Sequence, residues 1–310
     1  MTVTVDRGRR VLAIVLVLIN LPVALALVEA VSFKVYNREN GTLVSSGEKR
    51  VYLLYVPPSY DPTRPAPLVI SMHGAALWPT VQKDISGWNK VADENGFLVV
   101  YPAGLQHGLY VWRVEQGPGL AIDVRFSADL IDKLRATYNI DPSRIYADGL
   151  SNGGGMAFAL SCTMPDRIAA VGMVGPALTL PWNGCPDPRP VPVIAFHGTA
   201  DPAAPYNGGS SWVTRSEFPS IPVWMTHWAQ RNGCAPSPSV SRVAPDVTRR
   251  TYTHCTDNAA VVFYTIQGGG HTWPGGRPLP EWFVGPTSRS IDASREMWAF
   301  FREHPLRRNE

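Results

Sequence analysis

Apolar and polar positions along this chain fall into two alternating kinds of segment. Compact β-branched runs at Val51–Val56, Pro67–Met72 and Phe97–Tyr101, the last ended by Pro102, read as buried strands. Between them a helical spacing appears over Asp84–Asn95, where Ile85, Trp88, Val91 and Ala92 share one face. Asp123 is placed to cap the next helix, in which Phe126, Leu130, Ile131 and Leu134 stand at i, i+4, i+5 and i+8. The short strand Arg144–Asp148 then runs through a glycine-rich turn into a helix over Gly154–Leu160. Further strands are expected at Ile168–Val174, Val191–Phe196, Arg249–Thr253 and Ala260–Ile266, and further helices at Ile221–Arg231 and Ile291–Arg302. Strands alternating with helices predict an α/β fold: a mainly parallel central sheet with helices on both faces. Ligands of such sheets bind where the carboxyl ends of the strands deliver their loops.

The first thirty residues follow a different pattern. Arg7, Arg9 and Arg10 precede an apolar run from Val11 to Val28, interrupted only by Asn20 and Pro22. A basic segment before an apolar one describes an export signal, with Val28-Glu29-Ala30 as its cleavage site. The run also approaches the roughly 20 residues of a membrane span, so an uncleaved N-terminal anchor is the alternative. Either reading places residues 31–310 outside the cytoplasm as a single catalytic domain, secreted or membrane-anchored.

Composition narrows the function. A formal net charge of +3 without any lysine- and arginine-rich run gives no footprint for nucleic acid. Hydrophobic residues at 45% and charged residues at 17% describe a globular chain. Four cysteines, Cys162, Cys185, Cys234 and Cys255, suit an oxidising compartment and allow three pairings. Sequence neighbours close the shorter loops, which favours Cys162–Cys185 and Cys234–Cys255; reduced, buried cysteines are the alternative. Their spacing is unlike a zinc site, and the serine chemistry described next implies neither a metal nor an organic cofactor.

The candidate chemistry centres on Gly149-Leu150-Ser151-Asn152-Gly153. A G-x-S-x-G between a strand and a helix is the context of a nucleophile elbow, a turn so tight that glycine is needed two positions either side of the serine. A serine hydroxyl needs a base in reach and an acid to orient that base. His271, in the glycine-rich loop Gly268–Gly276 after the last predicted strand, is the candidate base. Asp201, in the loop after strand Val191–Phe196, is the candidate acid, with Asp148 and Asp257 as rivals. His73 and His197 each precede a glycine at a strand end and are read as structural; His107, His227, His254 and His304 carry no distinguishing context. Two backbone N–H groups, those of Asn152 and Ala75, are placed to bind a developing oxyanion. Trp78, Trp112, Trp182 and Trp273 fall in loops near the strand ends. Of these, Trp273, Trp78 and Trp112 are the candidates for an aromatic substrate wall.

Several stretches in this order resemble the secreted polyhydroxybutyrate depolymerase and feruloyl esterase-like enzymes of the α/β-hydrolase superfamily. They are Leu68-Val69-Ile70-Ser71-Met72-His73-Gly74, Gly96-Phe97-Leu98-Val99-Val100-Tyr101-Pro102, Ile140-Asp141-Pro142-Ser143-Arg144-Ile145-Tyr146, Gly149–Gly154, Phe196–Pro202 and Gly269–Gly275. The resemblance covers roughly residues 45 to 302. It implies an extracytoplasmic carboxylesterase with a Ser151–Asp201–His271 triad, acting on polyester or hydroxycinnamoyl-type esters, and it favours the two cysteine pairs above. The chain departs from similar enzymes at Ala75 and Ala76, where a cysteine often follows the His-Gly pair. The expected partner is an ester substrate, small, oligomeric or polymeric, and the expected state is a monomer. The alternatives are acyl transfer by the same residues and a non-catalytic ligand-binding relative.

Overall fold

A computed structural model describes residues 39–104, 110–185, 189–211 and 216–307. The expected export signal or anchor, and His107, lie outside them.

The central feature is a ten-stranded sheet in the order β1-β2-β4-β3-β5-β6-β7-β12-β11-β10. Six adjacent strands are parallel: β4 (Leu98–Pro102), β3 (Ala66–Met72), β5 (Ile140–Leu150), β6 (Ala170–Val174), β7 (Val193–Gly198) and β12 (Val261–Ile266). Antiparallel pairs finish both edges, β1 (Gly41–Ser45) with β2 (Glu48–Tyr55), and β11 (Val247–Tyr252) with β10 (Ser239–Ala244). A two-stranded ribbon, β8 (Gly209–Ser210) with β9 (Glu217–Phe218), stands apart. The edge strands β1 and β10 escape the sequence pattern because they carry no run of apolar residues; β10 is almost wholly exposed, and β1 is only partly buried.

Every residue of β3 is buried, and its side chains alternate between two cores. Leu68, Ile70 and Met72 join the apolar side chains of α3 (Pro118–Thr137), α4 (Asn152–Thr163) and α5 (Ile221–Arg231). Val69 faces the other side, with α1 (Pro79–Ser86), α2 (Trp88–Asn95) and α7 (Ala293–Phe301). This two-sided burial is why the central strands read as continuous apolar runs. The strand order, the parallel centre and the helices on both faces give the α/β-hydrolase architecture that the sequence leads one to expect. Among the described residues no helix is long and apolar enough to cross a membrane.

Two helix boundaries differ from expectation. The helix expected over Asp84–Asn95 is two helices, because Gly87 adopts a left-handed conformation (φ 65°) that ends α1 and starts α2. Asp123 does not cap its helix; α3 begins at Pro118 behind Gly117, and Asp123 is fully buried within it. Its carboxylate accepts from Arg50 Nη1 at 2.7 Å and from the Arg113 N–H at 2.8 Å. Arg50 also donates to Ala103 O and lies 3.9 Å over the Phe126 ring. A charge taken out of water needs this full set of partners. The cluster fixes the segment around Arg113, and so Trp112, against the sheet.

Both expected disulfides form, Cys162–Cys185 and Cys234–Cys255. Each closes a loop of some twenty residues, worth roughly 3 kcal/mol in the chain-entropy model.

Asp148, on β5 three residues before Ser151, is buried and accepts from Ser71 Oγ at 2.7 Å. Burial pushes its carboxyl up to about 8, with the Ser71 hydroxyl and the Trp88 indole pulling the other way. An unfolded chain releases that proton near about 3.9. Between those values the folded state holds a proton that the unfolded chain has lost, so stability falls as pH rises through that window. Asp148→Asn removes the charge change. Thermal melts from pH 4 to 9 are expected to show a shallower alkaline decline for the variant, with a higher Tm than wild type at pH 8. Parallel pH dependences of the two proteins would contradict this assignment.

Candidate active site

Four loops from the carboxyl ends of parallel strands meet at the site. β3 delivers His73–Ala76, β5 delivers Ser151, β7 delivers Asp201 and β12 delivers His271.

Ser151 has φ 55° and ψ −119°, a strained backbone for a residue with a side chain. The turn closes so tightly that a Cβ on Gly149 would stand 2.4 Å from the Gly153 carbonyl carbon. A Cβ on Gly153 would stand 2.2 Å from Met72 O. Only glycine fits at either position. The strain is held by bonds on both sides: the Ser151 N–H donates to Val174 O at 2.9 Å, and Ser151 O accepts from Gly155 N and Ala177 N. α4 starts immediately after the serine, so its free N–H groups lie behind the hydroxyl.

Asp201 and His271 are joined directly. The His271 Nδ1–H donates to Asp201 Oδ2 at 2.7 Å, and Asp201 Oδ1 accepts the N–H groups of Ala203 and Ala204 at 2.8 Å each. Burial alone would raise the Asp201 carboxyl, but the charge and hydrogen bond of His271, with lesser help from His197 and Ala204, hold it below the ordinary range. Asp201 is therefore a carboxylate whose hydrogen bonding fixes the proton of His271 on Nδ1 and leaves Nε2 as the acceptor. His197, read as structural from sequence, also touches this carboxylate. Its Nε2 lies 3.3 Å from Asp201 Oδ2 and 2.8 Å from Ala204 O. Burial pulls the His197 imidazole below its ordinary value, so it stays neutral.

Gly175 connects this pair with the serine. It follows Val174, which holds the Ser151 N–H, and a Cβ there would lie 3.0 Å from His271 Nδ1 and 3.2 Å from Asp201 Oδ2. The acid and the imidazole thus pack against the same strand end that anchors Ser151. No hydrogen bond joins Ser151 Oγ to His271 among the described residues. Catalytic contacts of this kind commonly tighten only with substrate bound.

The loop after β3 lies against the serine, a Cβ on Gly74 being 3.4 Å from Ser151 Cβ. Ala76 and Leu77 donate their N–H groups to Tyr110 O and Gly74 O. The N–H groups of Ala75 and Asn152 make no backbone hydrogen bond among the described residues. The loop's shape is fixed by a chain of buried bonds. Asn152 Oδ1 accepts the Trp112 N–H at 2.7 Å, and its Nδ2 donates to Trp112 O at 3.1 Å. The Trp112 indole donates to His73 O. His73 bonds to Gly74 O through Nδ1 and accepts the Gly104 N–H on Nε2. Burial lowers the His73 imidazole to about 4, so it stays neutral and its tautomer is fixed. Asn152→Ala leaves the Trp112 N–H and C=O unpaired in the interior. It is expected to lower kcat about 10- to 100-fold with a smaller effect on KM, because a slight shift of positioning groups is that costly. Steady-state kinetics on p-nitrophenyl acetate checks this.

The tryptophans need correcting. Trp112 and Trp273 are each 1% exposed. Trp112 packs between His73 and Phe126, and the Trp273 indole donates to Ser294 Oγ inside the α7 core. Both are buried and present no face to a ligand. Trp182 stacks on Trp224 beside the Cys162–Cys185 bridge. Trp78 alone of the candidates is half-exposed; its ring lies 5.7 Å from that of Tyr110, next to Ala75 and Ala76. Tyr110 carries no sequence signal as a site residue, because it lies far along the chain from the loop it meets through its carbonyl bond to Ala76 and its ring contacts with His73 and Trp78.

A serine on a strained elbow, with a carboxylate-supported imidazole on a later loop of the same sheet, is an arrangement compatible with nucleophilic hydrolysis. Residues 50–179 match the family model for esterase PHB depolymerase, a span that includes Ser151 and ends before Asp201. The chain is 30% identical to feruloyl esterase B of Piromyces equi, over 72% of this chain and 42% of that protein. It is 26% identical to poly(3-hydroxyalkanoate) depolymerase C of Paucimonas lemoignei, over 67% of this chain and 55% of that protein. The chain therefore spans about half the length of these two relatives. Acetyl xylan esterase from Aspergillus awamori shares the fold, with a TM-score of 0.56 at 17% identity, over 82% of this chain and 94% of that one. These relatives are named esterases and depolymerases, and the likeness supports a carboxylic ester hydrolase.

Proposed function

We propose that the chain is an extracytoplasmic serine esterase acting through an acyl-enzyme. Ser151 Oγ attacks the ester carbonyl as His271 Nε2 takes its proton; the N–H groups of Ala75 and Asn152 receive the oxyanion. His271 returns the proton to the departing alcohol, and a water activated by the same imidazole then releases the acid. Asp201 keeps His271 in the required tautomer and stabilises the imidazolium. The observation that carries this reading is the Asp201–His271 bond of 2.7 Å, packed on the strand end that anchors Ser151. The two disulfides and the basic-then-apolar N-terminal sequence support export. Candidate substrates are hydroxyalkanoate oligomers and hydroxycinnamoyl-type esters, with Trp78 and Tyr110 gripping the group beside the oxyanion loop. A panel of p-nitrophenyl acetate, hydroxybutyrate oligomers, methyl ferulate and acetylated xylan tests it. Turnover of the small ester and of at least one natural-type ester is expected; no turnover of any would overturn the reading.

A further inference from the structure

Two imidazoles meet at one oxygen of the candidate acid. The His271 Nδ1–H donates to Asp201 Oδ2 at 2.7 Å, and His197 Nε2 lies 3.3 Å from the same atom. His197 Nε2 also lies 2.8 Å from Ala204 O. Both neighbours are acceptors, so this nitrogen carries the ring proton and divides it between them. The other nitrogen, Nδ1, is buried and has no hydrogen-bond partner. A second N–H there would be stranded without an acceptor, so the site holds the neutral ring with its proton on Nε2. His197 is itself buried on β7 and cannot touch a substrate.

The backbone around this pair is already fixed. The Thr199 N–H donates to Ile266 O at 2.9 Å, the Ala200 N–H to Gly269 O at 3.0 Å, and the Gly268 N–H to Thr199 Oγ1 at 2.8 Å. The His271 N–H donates to Val284 O at 2.6 Å, at the end of the short helix α6 (Glu281–Val284). Acid and base loops are thus zipped together, and what remains to be held is the carboxylate itself. Ala203 and Ala204 hold its Oδ1; the two histidines share its Oδ2.

We propose that His197 is a positioning residue of the triad, whose Nε2–H steadies the Asp201 carboxylate and restrains the basicity which that carboxylate confers on His271. This rests on the serine-esterase reading above and deepens it to what sets the strength of the base. An N–H dipole beside a carboxylate takes up part of its charge, so less remains to stabilise an imidazolium on His271. His271 therefore stays a free base to lower pH than it would beside an unassisted carboxylate. Tyr206 also faces His197, its ring 6.0 Å away. Across on β12, Thr265 Oγ1 lies 2.9 Å from the Tyr206 hydroxyl and accepts from Arg250 Nη1 at 3.0 Å. β6 is followed on this side by Gly175, which carries no charge.

The first test uses wild type alone: ¹⁵N shifts of the histidine rings, recorded from pH 6 to 8. His197 is expected to stay neutral with its proton on Nε2; a charged ring, or a proton on Nδ1, would overturn the proposal. The second is the pH dependence of kcat/KM on p-nitrophenyl acetate, whose acid limb reports the base of the free enzyme. His197→Leu, which has no donor, is expected to move the midpoint of that limb up by about one pH unit and to lower the plateau kcat about tenfold. His197→Gln brings an amide N–H near the place of Nε2 and is expected to restore the midpoint and most of kcat. Tyr206→Phe loses the bond to Thr265 in the same loop but leaves Asp201 its donors, so its midpoint is expected to match wild type. An unmoved midpoint in folded His197→Leu, or equal midpoints in the Leu and Gln variants, would reduce His197 to a tie within the loop and overturn the proposal. Should His197→Leu not fold, His197→Asn, whose amide stops short of Asp201, takes its place in the comparison. Absence of p-nitrophenyl acetate hydrolysis in wild type would overturn the esterase reading instead, and the ring shifts would then judge His197 alone.

Discussion

Ser151→Ala is expected to lower kcat on p-nitrophenyl acetate about 10⁴- to 10⁶-fold, the range seen when a triad nucleophile is deleted. The methyl group is smaller than the hydroxymethyl it replaces, and the bonds that hold the elbow are backbone bonds from Ser151 to Val174, Gly155 and Ala177. Folding should therefore survive, and a wild-type Tm and circular dichroism spectrum would establish that the loss is chemical. A variant that folds and keeps more than a few per cent of wild-type kcat would remove Ser151 from the mechanism.

The second large effect is at Asp201. In Asp201→Asn the amide oxygen is expected to stay with the two N–H groups of Ala203 and Ala204, which occupy Oδ1 at 2.8 Å each. The amide nitrogen then faces His271 Nδ1 where a carboxylate oxygen stood. A donor there forces Nδ1 to accept, moves the imidazole proton to Nε2, and leaves no base for the serine. The same donor confronts His197 Nε2, 3.3 Å from that oxygen. A kcat loss of about 10⁴-fold is expected, as when a triad aspartate elsewhere is made an amide. The substitution also alters acid stability. The folded-state carboxyl of Asp201 is held below its ordinary value, so it contributes stability above the unfolded value that is lost as pH falls through the folded one. Asp201→Asn should flatten the acid side of the melting profile. Kinetics and melts on the same preparations check both effects; a variant with near wild-type kcat would show that the acid lies elsewhere.

Much of this was legible in the sequence, for identifiable reasons. The central strands announce themselves because both of their faces are buried, and Gly149 and Gly153 flank Ser151 because no Cβ fits there. Asp201 and His271 follow from chain order and from strand ends, and the structure joins them. The edge strands β1 and β10 are silent because partly or wholly exposed strands lack an apolar run. Gly87 was read as part of one helix because a single glycine does not disturb the apolar spacing around it. The tryptophans were the hardest to place. Trp112 and Trp273 occupy loop segments by sequence, yet each has an indole N–H with a buried acceptor, His73 O or Ser294 Oγ, supplied by a distant part of the chain. No local pattern records such a partner. Trp282 is the converse case, an exposed tryptophan without a local marker of exposure. It lies in Pro278-Leu279-Pro280-Glu281-Trp282-Phe283, an apolar stretch stiffened by prolines just after the His271 loop, but only its exposure shows that it faces outward.

Labelling with a fluorophosphonate tests the central claim most directly, because the reagent reacts only with a serine activated by a functioning base and oxyanion site. The account predicts one adduct per chain, on the peptide containing Ser151, formed rapidly in wild type and at least a hundredfold more slowly in Asp201→Asn. An unmodified Ser151 in folded protein that hydrolyses p-nitrophenyl acetate, or labelling at equal rates in both proteins, would contradict it.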